Sequence, residues 1–462
     1  MTKAAGLTDD AIEEAAERVR AALGSVPTTA YSVPHVYPSA APRYRVEPLA
    51  VRAIPPTDHL RLYVHVPFCR YHCTFCHFAV RAGATPSQME RYVLALEREL
   101  ALVPKGTPLS QLFIGGGTPT ALPPELLDRL LAAIIDRTPD AGMHVHTVET
   151  SPETLTEAHL DVLRRRGVGR VSMGVQTLDD AVLARVRRTH TKSQTMLACE
   201  RLAGSGLVAN VDLLYGLPGQ TPEAFRSDLR TLADAGIHSF TLYSLRVNER
   251  TPVTKALGGP PFTLETLIGW RAFVKRVAED LGYTQTRWHT FKRLDTAART
   301  HVRAPCFDDR MVGYQMGIGL SARSHLGWTI FRNHEALDEY LRRVEHDLSP
   351  VEQTFVLDAA DRRTQFIART LGDGSSLPRS AYAATFGREF DEEYGAPLAS
   401  LRDGGLVCDH GDRIALTHLG GLVYDLVTLA FYPPRAQAWL RARERHAFVQ
   451  LRRASPRVPV AS

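Results

Sequence analysis

From residue 61 to about 245 the chain alternates strand-like apolar runs with helix-like stretches, and this alternation constrains its fold more than any other feature. Candidate strands are Leu62–Val66, Gln111–Ile114, His144–Glu149, Arg170–Val175, Asn210–Leu214 and Ser239–Ser244. Helix-like stretches lie near 87–103, 123–136, 153–166, 178–188, 192–206 and 222–236. Strands separated in this way run parallel, in a barrel or an open sheet. The unusual residues fall at C-terminal strand ends: a cysteine loop, Gly115-Gly116-Gly117, Glu149, Gln176 and Asp212. Barrels gather chemistry at that end, so a full or partial barrel is favoured.

Three of the six cysteines, Cys69, Cys73 and Cys76, sit in one loop directly after the first strand. Three thiolates can hold three irons of a four-iron, four-sulfur cluster and leave the fourth open to a small molecule. A structural zinc site usually draws on four ligands, with a second cysteine pair. His72 or His77 could be a fourth ligand, but the spacing is unusual for zinc. A disulfide framework suits a secreted chain, and Met1-Thr2-Lys3-Ala4 lacks a signal peptide's apolar core. Cys199, Cys306 and Cys408 are isolated, and each reads as a buried small apolar residue.

At 462 residues the chain can build two or three domains. Its net charge of +5 is spread without a basic block, so nucleic acid is not implied. No apolar run approaches the roughly 20 residues needed to cross a bilayer. A reducing cytoplasm fits the cysteine usage. Residues 9–23 read as a helix capped by Asp9-Asp10, and 24–60 as a proline-rich extended arm. After a further helix at 264–282, the chain from about 350 reads as short helices plus a hairpin, Leu406–Val407 and Ile414–Leu416. That pattern suggests a winged-helix-like module. The domains expected are 1–60, 61–245, 246–345 (extension and linker) and 346–462.

Gly115, Gly116 and Gly117, followed by Thr118, let the backbone approach a ligand and aim N–H groups at a carboxylate or phosphate. A plain tight turn is an equal reading. Glu149 and Asp212 sit in strands that otherwise read as buried, so each needs a partner or a ligand. Gln176 could hydrogen-bond a ligand. Arg188 could pair with a carboxylate, or simply end a helix in solvent. Trp288-His289, Trp328 and Phe431-Tyr432-Pro433-Pro434 read first as core, and second as the lining of a pocket for a flat aromatic substrate.

Taken in order, Tyr63-Val64-His65-Val66-Pro67-Phe68-Cys69, Gly115-Gly116-Gly117-Thr118-Pro119-Thr120, Ser172-Met173-Gly174-Val175-Gln176 and Asp212-Leu213-Leu214-Tyr215-Gly216-Leu217-Pro218 resemble the radical S-adenosylmethionine (SAM) superfamily. They are most similar to its branch around oxygen-independent coproporphyrinogen III oxidase. The resemblance covers roughly 55–330. It implies an α/β fold: a partial (β/α)6 TIM-like barrel with an extended N-terminal arm and a mostly helical, winged-helix-like C-terminal domain. It implies that Cys69, Cys73 and Cys76 bind a [4Fe-4S] cluster whose open iron chelates SAM. By resemblance Tyr63, Phe75, Gly116, Thr118, Glu149, Gln176, Arg188 and Asp212 hold the nucleoside. A reduced cluster would split SAM to methionine and a 5′-deoxyadenosyl radical, drawing on an external electron donor.

Within the branch three functions compete: porphyrinogen oxidation, heme chaperoning, and C-methylation or cyclopropanation using a second SAM. The leader of about 60 residues resembles the oxidase and weakens the chaperone reading. His77-Phe78 after Cys76 departs from both and resembles the methyltransferases. The expectation is therefore one-carbon transfer to an sp² carbon of an aromatic or unsaturated natural-product precursor. His289 or Tyr432 would be the base that rearomatises the adduct. Cyclopropanation would bring in a separate methyltransferase as partner.

Overall fold

A computed structural model of the chain describes residues 7–24, 60–247, 251–257, 261–294, 311–438 and 442. Six parallel strands form its centre: β1 (Leu60–Val66), β2 (Leu109–Gly116), β3 (His146–Thr150), β4 (Val168–Gln176), β5 (Val208–Tyr215) and β6 (Ser239–Ser244), hydrogen-bonded in that order. Crossover helices return the chain between them, among them Pro86–Leu100, Pro124–Arg137, Glu157–Arg165, Lys192–Ala203 and Pro222–Asp234. Four of these start on a threonine, Thr85, Thr156, Thr191 or Thr221, whose hydroxyl accepts a first-turn N–H.

The strands alternate in a way that decides where chemistry can happen. Leu62 and Val64, Leu112 and Ile114, Val171 and Met173, and Val211 and Leu213 are fully buried in the apolar core. The residues between them belong to the opposite face of the sheet. There Tyr63, Phe113, Thr147 and Arg170 stand side by side in register, with the Arg61–Gln111 pair two residues below them and the Glu149–Ser172 pair two residues nearer the C-terminal strand ends. The inner face of the barrel is polar, where a closed barrel would carry branched apolar side chains.

Further strands extend both edges. On β6 lies the antiparallel hairpin of β7 (Tyr283–Arg287) and β8 (Thr290–Arg293). On β1 lies β9 (Gly313–Ile318), parallel, followed by the antiparallel β10 (Arg323–Gly327), β11 (Thr329–Asn333) and β12 (Val351–Val356). The order is β12-β11-β10-β9-β1-β2-β3-β4-β5-β6-β8-β7. Because β12 pairs with β11, the sheet runs past residue 345, where the sequence reading ends the extension.

The C-terminal module holds the helices Ala359–Thr370, Arg379–Phe386 and Phe390–Asp403 and a small sheet, β13 (Leu377–Pro378), β14 (Val407–His410) and β15 (Arg413–Leu416). Its hairpin is the expected one, with β14 running on to His410 and the turn at Gly411-Asp412. An apolar cluster including Tyr382, Phe390, Leu398, Leu401 and Leu426 fills the module. Ala16, Val19 and Leu23 of the helix Asp9–Leu23 join it. Thr8 caps that helix, and Asp9 and Asp10 fall in its first turn. The expected extended arm lies almost wholly outside the described residues. Asp425 fastens the module to the barrel, accepting two 2.8 Å hydrogen bonds from Arg271, with Arg246 at 3.3 Å. Among the described residues no helix is long and apolar enough to cross a membrane.

Candidate active site at the barrel mouth

The chain leaves β1 through Pro67 and enters the cysteine loop. A two-residue parallel pairing of Phe68–Cys69 with Arg81–Ala82 closes the loop's base. Inside it, Cys76 N–H donates to Cys73 O (3.2 Å), and Thr74 N–H donates to Val186 O (3.1 Å). His65 bridges Tyr63 OH (3.0 Å) and Ala79 O (2.9 Å), tying strand to loop. Burial lowers His65 to about 4, so at neutral pH its ring is uncharged.

Gly115-Gly116-Gly117 seats that loop on β2. At Gly116, φ is +110° and a Cβ would meet the His65 ring at 2.5 Å. A Cβ on Gly117 would strike the Phe68 carbonyl oxygen at 2.7 Å. The N–H groups do not point at an incoming anion as expected. Gly116 N–H donates to Glu149 Oε2 (3.1 Å), Gly117 N–H to Val66 O (2.8 Å) and Thr118 N–H to Phe68 O (2.7 Å). The glycines serve close packing of the cysteine loop.

Among the described residues no three His, Cys, Asp or Glu side chains are close enough to hold a single metal ion. A multi-iron cluster takes one thiolate per iron and so asks for more widely spread sulfurs. Burial pushes the Cys69 thiol up to about 11 and the Cys76 thiol up to about 12. Ligation to iron would deprotonate such thiols outright. Thr118 Oγ1 lies 3.6 Å from Cys69 Sγ, and Arg188 Nη1 donates to Cys73 Sγ at 3.6 Å. Three thiols in one loop with donors aimed at two of them fit a cluster. Cys199 is buried in the core, as expected, whereas Cys408 is partly exposed on β14, 3.3 Å from His410 Nε2. Cys306 lies outside the described residues.

Beside the cysteine loop opens a cavity of about 340 Å³. Of the predicted site residues it brings together Tyr63, Gly116, Glu149, Asp212 and His289. Asp212 accepts from Ser172 Oγ (3.1 Å) and Asn210 Nδ2 (2.8 Å); burial pushes its carboxyl up, and Arg170 and these donors pull it back. His289 stacks on Tyr243, ring centroids 5.1 Å apart. Gln176 ends β4 at φ +72°, a strained conformation for a side-chain-bearing residue, where β4 and β5 slip register. Thr118, Phe75, Gln176 and Arg188 do not line the cavity. Phe75 packs against the apolar core.

Tyr432 belongs elsewhere. It is 3 % exposed within the apolar cluster of the C-terminal module, and burial drives its phenol far above the ordinary range. It stands apart from the cavity that His289 lines, which does not favour it as the base expected from sequence. Phe431 is buried in the same cluster, and Trp288 stacks on Tyr424 and donates to Leu371 O (2.7 Å).

Sequence reasoning missed the cations of this cavity: Arg61, Arg170, Arg287 and Lys292 line it, against two acids, Glu149 and Asp212. Burial, with Arg170 and Arg287 nearby, lowers Lys292 to about 8. The signal was available for Arg61 and Arg170, which alternate with buried apolar residues on strands already identified.

Residues 63–232 match the Radical SAM superfamily model. The chain is 27% identical over 380 residues to heme chaperone HemW of Bacillus subtilis, covering 80% of this chain and 98% of that one. It is 29% identical over 336 residues to an oxygen-independent coproporphyrinogen III oxidase of Cereibacter sphaeroides, covering 68% and 72%. Its fold matches coproporphyrinogen III oxidase (HemN) of Escherichia coli with a TM-score of 0.67 at 25% identity, over 81% of this chain and 91% of that one. The family's cofactors are a [4Fe-4S] cluster and SAM, and the cysteine loop is where this chain's residues fit them. The partial barrel, the cysteine loop at its mouth and these matches together bear out the resemblance to the radical S-adenosylmethionine superfamily and to its branch of coproporphyrinogen III oxidase and HemW-like proteins.

Proposed function

We propose that this radical SAM enzyme takes hydrogen from a substrate carrying carboxylates, the reaction type for which its coproporphyrinogen III oxidase relatives are named. The carrying observation is the cavity's charge: four cations, of which Arg287 is also paired with Asp373 at 3.2 Å, against two acids, on a polar barrel face beside the cysteine loop. When bound, the cluster and SAM supply a 5′-deoxyadenosyl radical. The chain's own part is positional. Glu149 and Asp212 would hold the nucleoside end of SAM, with Tyr63 beside it. Arg61, Arg170, Arg287 and Lys292 would anchor substrate carboxylates, so that one C–H bond faces the cysteine side. Phe78 and Tyr243 would shield that C–H bond from water. A reducing cytoplasm suits such a site, with an external donor supplying electrons.

One-carbon transfer remains the second reading, supported by His77-Phe78. Their rings stack at 4.6 Å, and Phe78, 58 % exposed, lines the cavity. Its substrate would be aromatic or unsaturated, with His289 as the base.

Anaerobic, iron-loaded protein with SAM, reductant and coproporphyrinogen III tests both. 5′-Deoxyadenosine with carbon dioxide supports the first reading. 5′-Deoxyadenosine with S-adenosylhomocysteine, given an sp² acceptor, supports the second. Heme capture without turnover would overturn both in favour of the role named for the Bacillus subtilis relative.

A further inference from the structure

Behind Cys73 lies a charged cluster of which only Arg188 has a role in cofactor binding implied by resemblance; Glu153, Tyr71 and His190 have none. Tyr71, between Cys69 and Cys73 in the loop, donates its hydroxyl to Glu153 Oε1 at 2.7 Å. Glu153 Oε2 lies 3.5 Å from His190 Nδ1, and the two side chains are 5 % and 0 % exposed. Arg188 donates Nη1 to Cys73 Sγ at 3.6 Å and Nη2 to Gly174 O, with its guanidinium 5.7 Å from the Tyr71 ring centroid. Three buried atoms here make no hydrogen bond: Glu153 Oε2, Arg188 Nε and His190 Nδ1. A buried carboxylate held by so few donors is costly, and structures keep such groups where charge itself is used. A neutral side chain would tether Tyr71 as well. Here one negative and one positive group are fixed close to a cysteine sulfur, and charge and hydrogen bonds at the sulfurs are what tune an iron–sulfur potential.

We infer that Glu153 is a positioning residue: it holds Tyr71 against the cysteine loop and, with Arg188, sets the one-electron reduction potential of the cluster. The inference rests on Cys69, Cys73 and Cys76 holding that cluster, and on no particular substrate.

The test is a redox titration of anaerobically reconstituted protein, followed by electron paramagnetic resonance without SAM. Glu153→Gln removes a negative charge, so the midpoint potential rises. Arg188→Gln removes a positive charge and a sulfur hydrogen bond, so it falls. A role confined to folding would not give shifts of opposite sign. Tyr71→Phe, which removes one hydroxyl, leaves the Glu153 charge less neutralised, and the potential falls by less than in Arg188→Gln. Shifts of one sign in both charge variants, or an unchanged potential in Glu153→Gln, overturn the inference. If Glu153→Gln does not fold, an unchanged potential in Tyr71→Phe overturns it instead. Iron and sulfide content of the wild type bears on the cluster alone, so the two failures are distinguishable.

Discussion

The barrel mouth and the C-terminal module are built from similar residue types and use them in opposite ways. Both are rich in aromatic side chains, and both contain a histidine or tyrosine that sequence alone offers as a base. In the module, the rings of Tyr382, Phe390 and Phe431 pack on one another, and a charged contact, Tyr382 OH to Glu393, is made at the ring's tip. At the mouth, Tyr63, Phe113 and Tyr243 share a cavity with four cations and two acids. Packed rings stabilise by excluding water, whereas the mouth keeps polar groups at a cost that ligand binding would offset. What separates them is strand alternation: one face of each barrel strand is spent on the core, and the other is left for chemistry.

The contrast is broken most easily at the cysteines. Cys73→Ala should abolish iron–sulfur absorbance and SAM cleavage, while Cys199→Ala, in the core, should leave both intact and cost only about 1 kcal/mol of stability. Iron analysis and product quantification decide. Equal loss in both would mean that the loop is not special.

Next come paired substitutions, one in each region. Asp212→Asn should weaken SAM binding about 10–100-fold, the worth of roughly 1.5–3 kcal/mol of charge-assisted hydrogen bonding, with melting little changed. Leu398→Ala should do the reverse, costing about 2–5 kcal/mol of stability while the folded fraction keeps its affinity. Calorimetric binding and thermal melts separate them.

Arg170→Gln sharpens the substrate side. It should raise KM for a carboxylate substrate about tenfold, the loss of one charged contact worth about 1.4 kcal/mol. SAM cleavage in the absence of substrate should not change.

Acid should act on the mouth first. His65 titrates near 4 in the folded chain, below its ordinary value. Between pH 6.5 and 4 the unfolded chain therefore takes up a proton that the native chain refuses. Stability from this group is complete above pH 6.5 and lost as pH falls towards 4, by at most about 1.4 kcal/mol per unit. Melting temperatures of the wild type and His65→Gln should converge as the pH is lowered through this window.

The smallest effect is expected at Tyr432. Tyr432→Phe should change turnover by less than about twofold, because it is buried in the module's core, away from the cavity. A large loss would restore it as a reacting group.

How much of this was legible depended on periodicity. The six parallel strands and the placing of Glu149 and Asp212 at one rim could be read, because alternating segments and odd residues at strand ends leave a strong pattern. The cationic side of the cavity was not read, because Arg61 and Arg170 each look like one ordinary charge within a strand; only the curvature of β1 to β4 around one cavity brings them together. The glycine run was read for its freedom, with a ligand and a plain tight turn as equal readings of its N–H groups; Glu149 and the carbonyls of Val66 and Phe68 take those of Gly116, Gly117 and Thr118. Tyr432 was misread because an aromatic next to prolines carries no local sign of which core it joins. Asp425, which links module to barrel through Arg271, is 154 residues away from it in sequence, and no local pattern encodes such a pair.

The central claim is that three cysteines hold a cluster with one iron left for SAM. The most direct measurement is 5′-deoxyadenosine formed by anaerobic, iron-replete protein given SAM and a strong reductant. The account predicts 5′-deoxyadenosine and methionine in equal amounts, and none from Cys73→Ala. Iron-replete wild type that binds SAM and yields neither product would contradict it.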